Sequence, residues 1–166
     1  MRFGFLALAV LCACKRAPEK PSEPRYCDQD LSGVWLNSSD SSFAYRLTDH
    51  GDTVRGKFFR RGADGGEATP PPGDDPLLIE LHRTASALAG TMKTMGESES
   101  GRRCPIEFGL QVSSCQPGVL QVIAETSMAV RDDCSRQKAG DGGELPPQLA
   151  EYRWERLPSG EGGSAR

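Results

Sequence analysis

A chain of 166 residues has room for one domain and a core large enough to fold alone. With 26% charged residues and a net charge of -3 it lacks the electrostatic bias that a nucleic-acid partner or an anionic lipid surface would select, so a nucleic-acid function is disfavoured. Its 19 glycines and 12 prolines weaken helix interiors and favour strands, turns and loops.

The first element is not part of the folded body. Arg2 is followed by an uncharged run from Phe3 to Leu11 and then by small residues around two cysteines, the layout of an export signal. The run is about ten residues long, half of what a membrane-crossing helix needs. Leu11-Cys12-Ala13-Cys14 resembles the lipobox of bacterial lipoproteins, with an aliphatic residue at -3 and small residues before the cysteine that is acylated. Cys14 fits because Ala13 precedes it, whereas Cys12 follows the bulky Leu11. The resemblance implies a signal peptide over residues 1–13, fatty acyl chains such as palmitate on Cys14, and residence in the cell envelope. Lys15 after the anchor, where an aspartate would retain the protein at the inner membrane, implies the outer membrane. The competing reading is an ordinary signal peptide cut after Ala13. Residues 14–26 then form a tether: Lys15 to Arg25 holds three prolines and six charges with almost nothing to bury, and spans roughly 30 Å.

From residue 27 to 157 strand signals dominate, and residues 158–166 read as a disordered tail. Leu31 to Leu36 is short and apolar. Phe43 to Thr48 alternates Phe43, Tyr45 and Leu47 against Ala44, Arg46 and Thr48, the period of a half-buried strand. Asp49 to Asp52 is a hairpin turn with Gly51 free to take a positive φ, and Thr53 to Arg60 returns. Arg61 to Pro76 is too polar and too rich in glycine and proline for regular structure and is expected to be a mobile surface loop. Leu77 to Arg83 and Leu88 to Lys93 form the next hairpin. Cys104 to Val112 carries Cys104, Ile106, Phe108, Leu110 and Val112 on one apolar face. Val119 to Arg131 keeps one register and is expected to be a single long strand, bulged near Thr126. Leu149 to Leu157 ends the series. Eight strands without a helix predict an all-β fold, a single antiparallel up-and-down β-barrel, with a β-sandwich as the alternative.

Four cysteines remain once Cys12 and Cys14 are set aside, and an even count beyond an export signal predicts two disulfides. If Cys104 to Val112 is extended at about 3.3 Å per residue, Cys115 lies more than about 20 Å from Cys104, beyond the reach of a bridge. A continuous next strand carries Cys134 back beside Cys104. The expected pairs are Cys104 with Cys134 and Cys27 with Cys115.

Gly33-Val34-Trp35 at the start of the first strand resembles the calycins, the lipocalin-like and avidin-like barrels. The resemblance implies a tryptophan closing one end of the barrel and a basic residue of the last strand, here Arg153 or Arg156, packed across its ring by a cation–π contact. Chemistry is otherwise sparse. His50 and His82 have no nucleophile or zinc pattern around them and are expected at the surface. Glu97-Ser98-Glu99-Ser100 after Gly96 lacks the closing glycine of a nucleophile elbow. Asp74-Asp75 and Asp132-Asp133 lack the spacing of a calcium loop. No catalytic residue, metal or cofactor is expected. The expectation is a monomeric, lipid-anchored binding protein whose barrel holds a small apolar ligand or an envelope component. The alternative is an interaction lipoprotein or enzyme inhibitor acting through its loops.

Overall fold

The structure, a computed structural model, describes residues 25–70, 76–127, 129–137 and 145–158. Eight strands follow in chain order: β1 (Gly33–Asn37), β2 (Asp40–Asp49), β3 (Thr53–Arg60), β4 (Leu78–Arg83), β5 (Leu88–Glu97), β6 (Arg103–Gln116), β7 (Val119–Ser127) and β8 (Gln148–Arg156). Each pairs antiparallel with the next and β8 returns to β1, so the sheet is one closed up-and-down barrel and not a sandwich.

The period of two decides which side chains face in. Cross-strand partners share a face, and the pairs Trp35–Tyr45, Val54–Leu81, Leu88–Val112, Val112–Val122 and Leu120–Trp154 run round the circumference as one buried set. Strands this close leave no room for a side chain everywhere. A Cβ on Gly90 would lie 2.0 Å from the Glu80 carbonyl oxygen, so the β4–β5 contact requires glycine there.

The two ends differ. One carries the turns 50–52, 84–87 and 117–118 together with the segment leading into β1, while the other carries the two-residue β1–β2 turn and the connections β3–β4, β5–β6 and β7–β8. We refer to them as the closed and open ends.

Two expectations need correction. The seventh strand ends at Ser127, four residues short of Arg131, although its register does shift between Glu125 and Ser127, about Thr126. Beyond it Val130 makes an isolated bridge with Arg136, and Val130 packs against Cys104 and Ile106. Burying Val130 in that way turns the chain out of the β6–β7 ladder, which stops at Leu110–Ala124. Above that pair β6 is bonded to β5, β7 to β8, and the barrel wall parts.

The second correction concerns the loop after β3, whose described part, 61–70, lies against the outer wall. Glu67 accepts from Arg46 Nη1 at 2.8 Å and Lys57 Nζ at 2.7 Å, and the Ala68 amide donates to the Arg60 carbonyl. Composition concealed this clamp because it is made by partners far away in sequence. Ala44 and Phe59, on the outer face, are 0% and 7% exposed, with the Arg46 guanidinium 4.9 Å from the Phe59 ring centroid.

Cys27 is joined to Cys115 and Cys104 to Cys134, with Cα separations of 5.5 and 5.3 Å. The first bridge ties the incoming segment to the closed end and the second ties residue 134 to the start of β6. Because they span 88 and 30 residues, chain entropy makes the first the stronger by about 1 kcal/mol. Urea unfolding of C27S/C115S and C104S/C134S should therefore show the larger loss of stability in the former.

Candidate ligand-binding cup

The closed end is built on carbonyl groups that need donors. The segment entering β1 crosses the base of the barrel, where its backbone has no strand partner. Four successive carbonyl oxygens each receive a side-chain donor instead. Gln29 O accepts from Arg83 Nη2 at 3.4 Å and Asp30 O from Arg156 Nη1 at 3.1 Å. Leu31 O accepts from Trp35 Nε1 at 2.8 Å, and Ser32 O from Arg156 Nη2.

Of the residues singled out by the calycin resemblance, Gly33, Trp35 and Arg156 come together here. The Arg156 guanidinium carbon lies 5.8 Å from the Trp35 ring centroid. Gly33 has φ 135°, and a Cβ on it would stand 3.3 Å from Arg156 Nε, so glycine is what lets the guanidinium reach the carbonyls. Arg153 is not part of the group. It lies on the outer face, paired with Glu155 at 2.7 Å, because residues 153 and 156 fall on opposite sides of β8.

A third participant was missed from sequence. Arg83 ends β4 with its side chain 4% exposed and meets Asp49, 6% exposed, at 2.7 Å; it also donates to the Gly51 carbonyl. Burial alone would raise the Asp49 carboxyl, but hydrogen bonds from Arg83 and from the Leu31 and Gly51 amides outweigh it and hold the group below its usual range. The signal lay in parity: Arg83 shares a face with Ile79 and Leu81, and Asp49 with Tyr45 and Leu47. His50 and His82 are exposed.

Towards the open end several inward side chains are aromatic and incompletely covered, while Cys104 and Ile106 of β6 are buried there against Val130. Phe43, Phe58, Phe108 and Tyr152 all face the interior yet are only half-buried, with Tyr45 and Met92, each 9% exposed, beneath them. Phe43 meets Phe58 edge-on at 5.5 Å, Tyr45 lies 5.7 Å from Phe58, and Tyr45 stacks on Trp154 at 3.9 Å. Arg60, at the last inward position of β3, sets its guanidinium 5.2 Å from the Phe43 centroid. The upper half of the barrel thus carries a cup of incompletely covered aromatic rings, above a lower half filled by Trp35 and aliphatic side chains. An eight-stranded barrel is about wide enough either to fill with side chains or to hold one small molecule; this one is filled below, and its half-buried rings lie above.

Polar groups gather at the floor of the cup. Desolvation pushes the Tyr45 phenol up to about 12, and the nearby Tyr152 adds to the shift while Asn37 and Trp154 oppose it. The Tyr45 phenol therefore carries a proton to donate at neutral pH.

Beside the cup, the parted wall is closed by side chains. Glu125 accepts from the Gly109 amide at 2.6 Å and from Arg136 Nη2 at 3.1 Å, and Arg136 Nη2 also donates to Glu107 O at 3.1 Å. Arg136, then the Gly109 amide, hold the Glu125 carboxyl below its usual range. Next to this seam Asp132 gathers the hydroxyls of Ser98 and Ser100, at 2.7 and 2.5 Å, which makes the serines of the Gly96–Ser100 stretch partners of a loop carboxylate.

Neither protein-family models nor curated proteins nor solved structures match this chain. The reading of function rests on the geometry.

The buried pair at the closed end sets an acid limit. Asp49 is more acidic folded than unfolded, so its contribution is complete above the unfolded carboxylate range and is lost as pH falls through the folded value. Asp49→Asn should lower stability at neutral pH by about 3 to 5 kcal/mol, because it strands the Arg83 charge. It should also flatten the acid limb of a denaturation curve measured between neutrality and strong acid; an unchanged acid limb would show that other carboxyls set it.

Proposed function

We propose that this chain is a lipid-anchored protein of the bacterial cell envelope whose β-barrel holds one small, largely apolar ligand. The observation that carries the binding half is the aromatic cup: inward-facing Phe43, Phe58, Phe108 and Tyr152 remain only half-buried although the lower barrel is filled. Packed interiors leave few voids, and concave apolar surfaces with a few convergent polar groups are where small molecules bind.

The anchoring half comes from the Leu11-Cys12-Ala13-Cys14 motif, which lies outside the described residues, and gains support from the two disulfides, which suit an oxidising compartment. On this reading residues 1–13 are removed, Cys14 carries the acyl chains, residues 14–26 are a spacer, and the barrel over 27–157 faces away from the outer membrane as a monomer. The spacer enters the barrel at the closed end, through Cys27, so the cup opens on the side opposite the membrane.

A second reading, an interaction lipoprotein or inhibitor working through surface loops, is favoured by Leu145 and Leu149, which are 46% and 62% exposed beside the open end. A stoichiometric envelope protein retained by the intact barrel, but not by a Leu145→Ser, Leu149→Ser variant, would support it.

Two measurements test the first reading separately. Expressed in a bacterium fed an alkyne-tagged palmitate, the protein should become labelled and sediment with membranes, while Cys14→Ser should lose both properties; labelling that persisted in the variant would exclude this anchor. Neutral N-phenylnaphthylamine, titrated into the purified protein, should brighten with one-to-one saturation, and Phe43→Arg at the mouth should weaken it at least tenfold. A probe that stays dark with the folded protein would show that the cup takes no small apolar ligand.

A further inference from the structure

One polar group in the floor of the cup has no oxygen in line with it. Trp154 is 1% exposed and its Nε1–H is buried without a hydrogen-bond partner. The chain has two tryptophans, and the other, Trp35, donates its Nε1–H to Leu31 O at 2.8 Å. A buried donor left unpaired is destabilising, and native structures keep few of them.

The neighbours do not relieve it. Tyr45 is near enough for the Trp154 donor to oppose the rise of its phenol. Yet the two rings stack, with centroids 3.9 Å apart and planes 20° apart. Stacking sets the phenol oxygen over the indole, off the in-plane direction in which the N–H points. The Asn37 side-chain oxygen is turned to the Ser39 amide, which donates to it at 3.0 Å.

The set is rich in donors: an indole N–H, the Tyr45 and Tyr152 hydroxyls, and the Asn37 amide nitrogen. None of them is cationic. An anion placed there would lose its hydration without gaining a counter-charge, whereas a neutral acceptor would replace water at little electrostatic cost. Partly exposed rings border the group: Phe58 lies 5.7 Å from Tyr45, and Tyr152 precedes Trp154 by two residues on the same face of β8.

We propose that Trp154 Nε1–H and the phenols of Tyr45 and Tyr152 form a donor subsite at the floor of the cup that takes the neutral carbonyl oxygen of a small, mainly apolar ligand. The subsite rests on the cup being a ligand site and adds the chemistry that the ligand carries at its inner end. It also accounts for a tryptophan and two tyrosines at positions where a filled barrel would use leucine or phenylalanine.

Acetophenone and α-methylstyrene test it, because they share shape and ring and differ in a carbonyl oxygen against a methylene. In proton–nitrogen spectra of the full-length protein, acetophenone should move the Trp154 indole resonance downfield and leave that of Trp35 in place. α-Methylstyrene should move neither resonance downfield, and should bind about five- to tenfold more weakly. Trp154→Phe assigns the resonance and should abolish the preference; Tyr45→Phe, which preserves the ring, should reduce it if the first variant fails to fold. Equal affinities with an unmoved Trp154 resonance would overturn the donor subsite and leave the cup standing. Failure of both probes to bind at millimolar concentration would overturn the subsite and the cup together.

Discussion

The barrel depends on finding hydrogen-bond donors for the stretch of backbone that crosses its base. Residues 29 to 32 lie where no strand can pair with them, and a buried carbonyl without a partner costs a sizeable fraction of a small domain's stability. Arg83, Trp35 and Arg156, drawn from β4, β1 and β8, supply the donors, while Asp49 on β2 accepts from the Leu31 amide and neutralises Arg83. Side chains of four strands thus converge on one short segment. The contact covers the base and ties the incoming segment to β2 and β8, the two strands whose ladders with β1 leave the sheet without an edge.

Sealing one end this way makes the ends unequal. Below, Trp35 and aliphatic side chains pack against a polar plug. Above, nothing comparable crosses the mouth among the described residues; Val130 covers Cys104 and Ile106 at one side, and half-buried aromatic rings take several of the other inward positions. Aromatic rings suit that place because they present large flat surfaces that stay ordered while partly wet. At the closed end turns of two to four residues cannot reach across the barrel, and the incoming segment covers it instead; the two longest connections, β3–β4 and β7–β8, lie at the other end.

The strands were legible because period-two patterning is local; the disulfide pairings also came out of extended geometry and chain order, although the strand that was to carry Cys134 back stops at Ser127 and an irregular segment completes the path. What was not legible depended on partners distant in sequence. Arg83 and Asp49 share parity with apolar core positions, but a charged residue at a strand end reads as solvent-facing until its counter-ion is known. Glu67 sits in a stretch that composition marks as irregular, and its order comes from Arg46 and Lys57. The early end of β7 depended on where Val130 could be buried, against Cys104 and Ile106, and alternation alone could not reveal that. The cup was invisible for a related reason, since Phe43, Tyr45 and Phe58 look the same in sequence whether they fill a core or line a space.

The parted wall between β6 and β7 shows how the open end is held without a lid. A continued ladder would satisfy each backbone group with another, at a cost fixed by geometry. Here the Gly109 amide and the Glu107 carbonyl are satisfied by Glu125 and Arg136, two side chains that hold each other as well. Such bonds are lost together when either side chain moves, so this part of the wall opens at lower free energy than the ladders around it. The Cys104–Cys134 bridge then acts as a limit, because residue 134 stays within 5.3 Å of β6 whatever Arg136 does. Phe108, the half-buried ring nearest this seam, therefore lies beside the part of the wall with the least to lose by opening, while Trp35, at the opposite end, lies beside the part with the most.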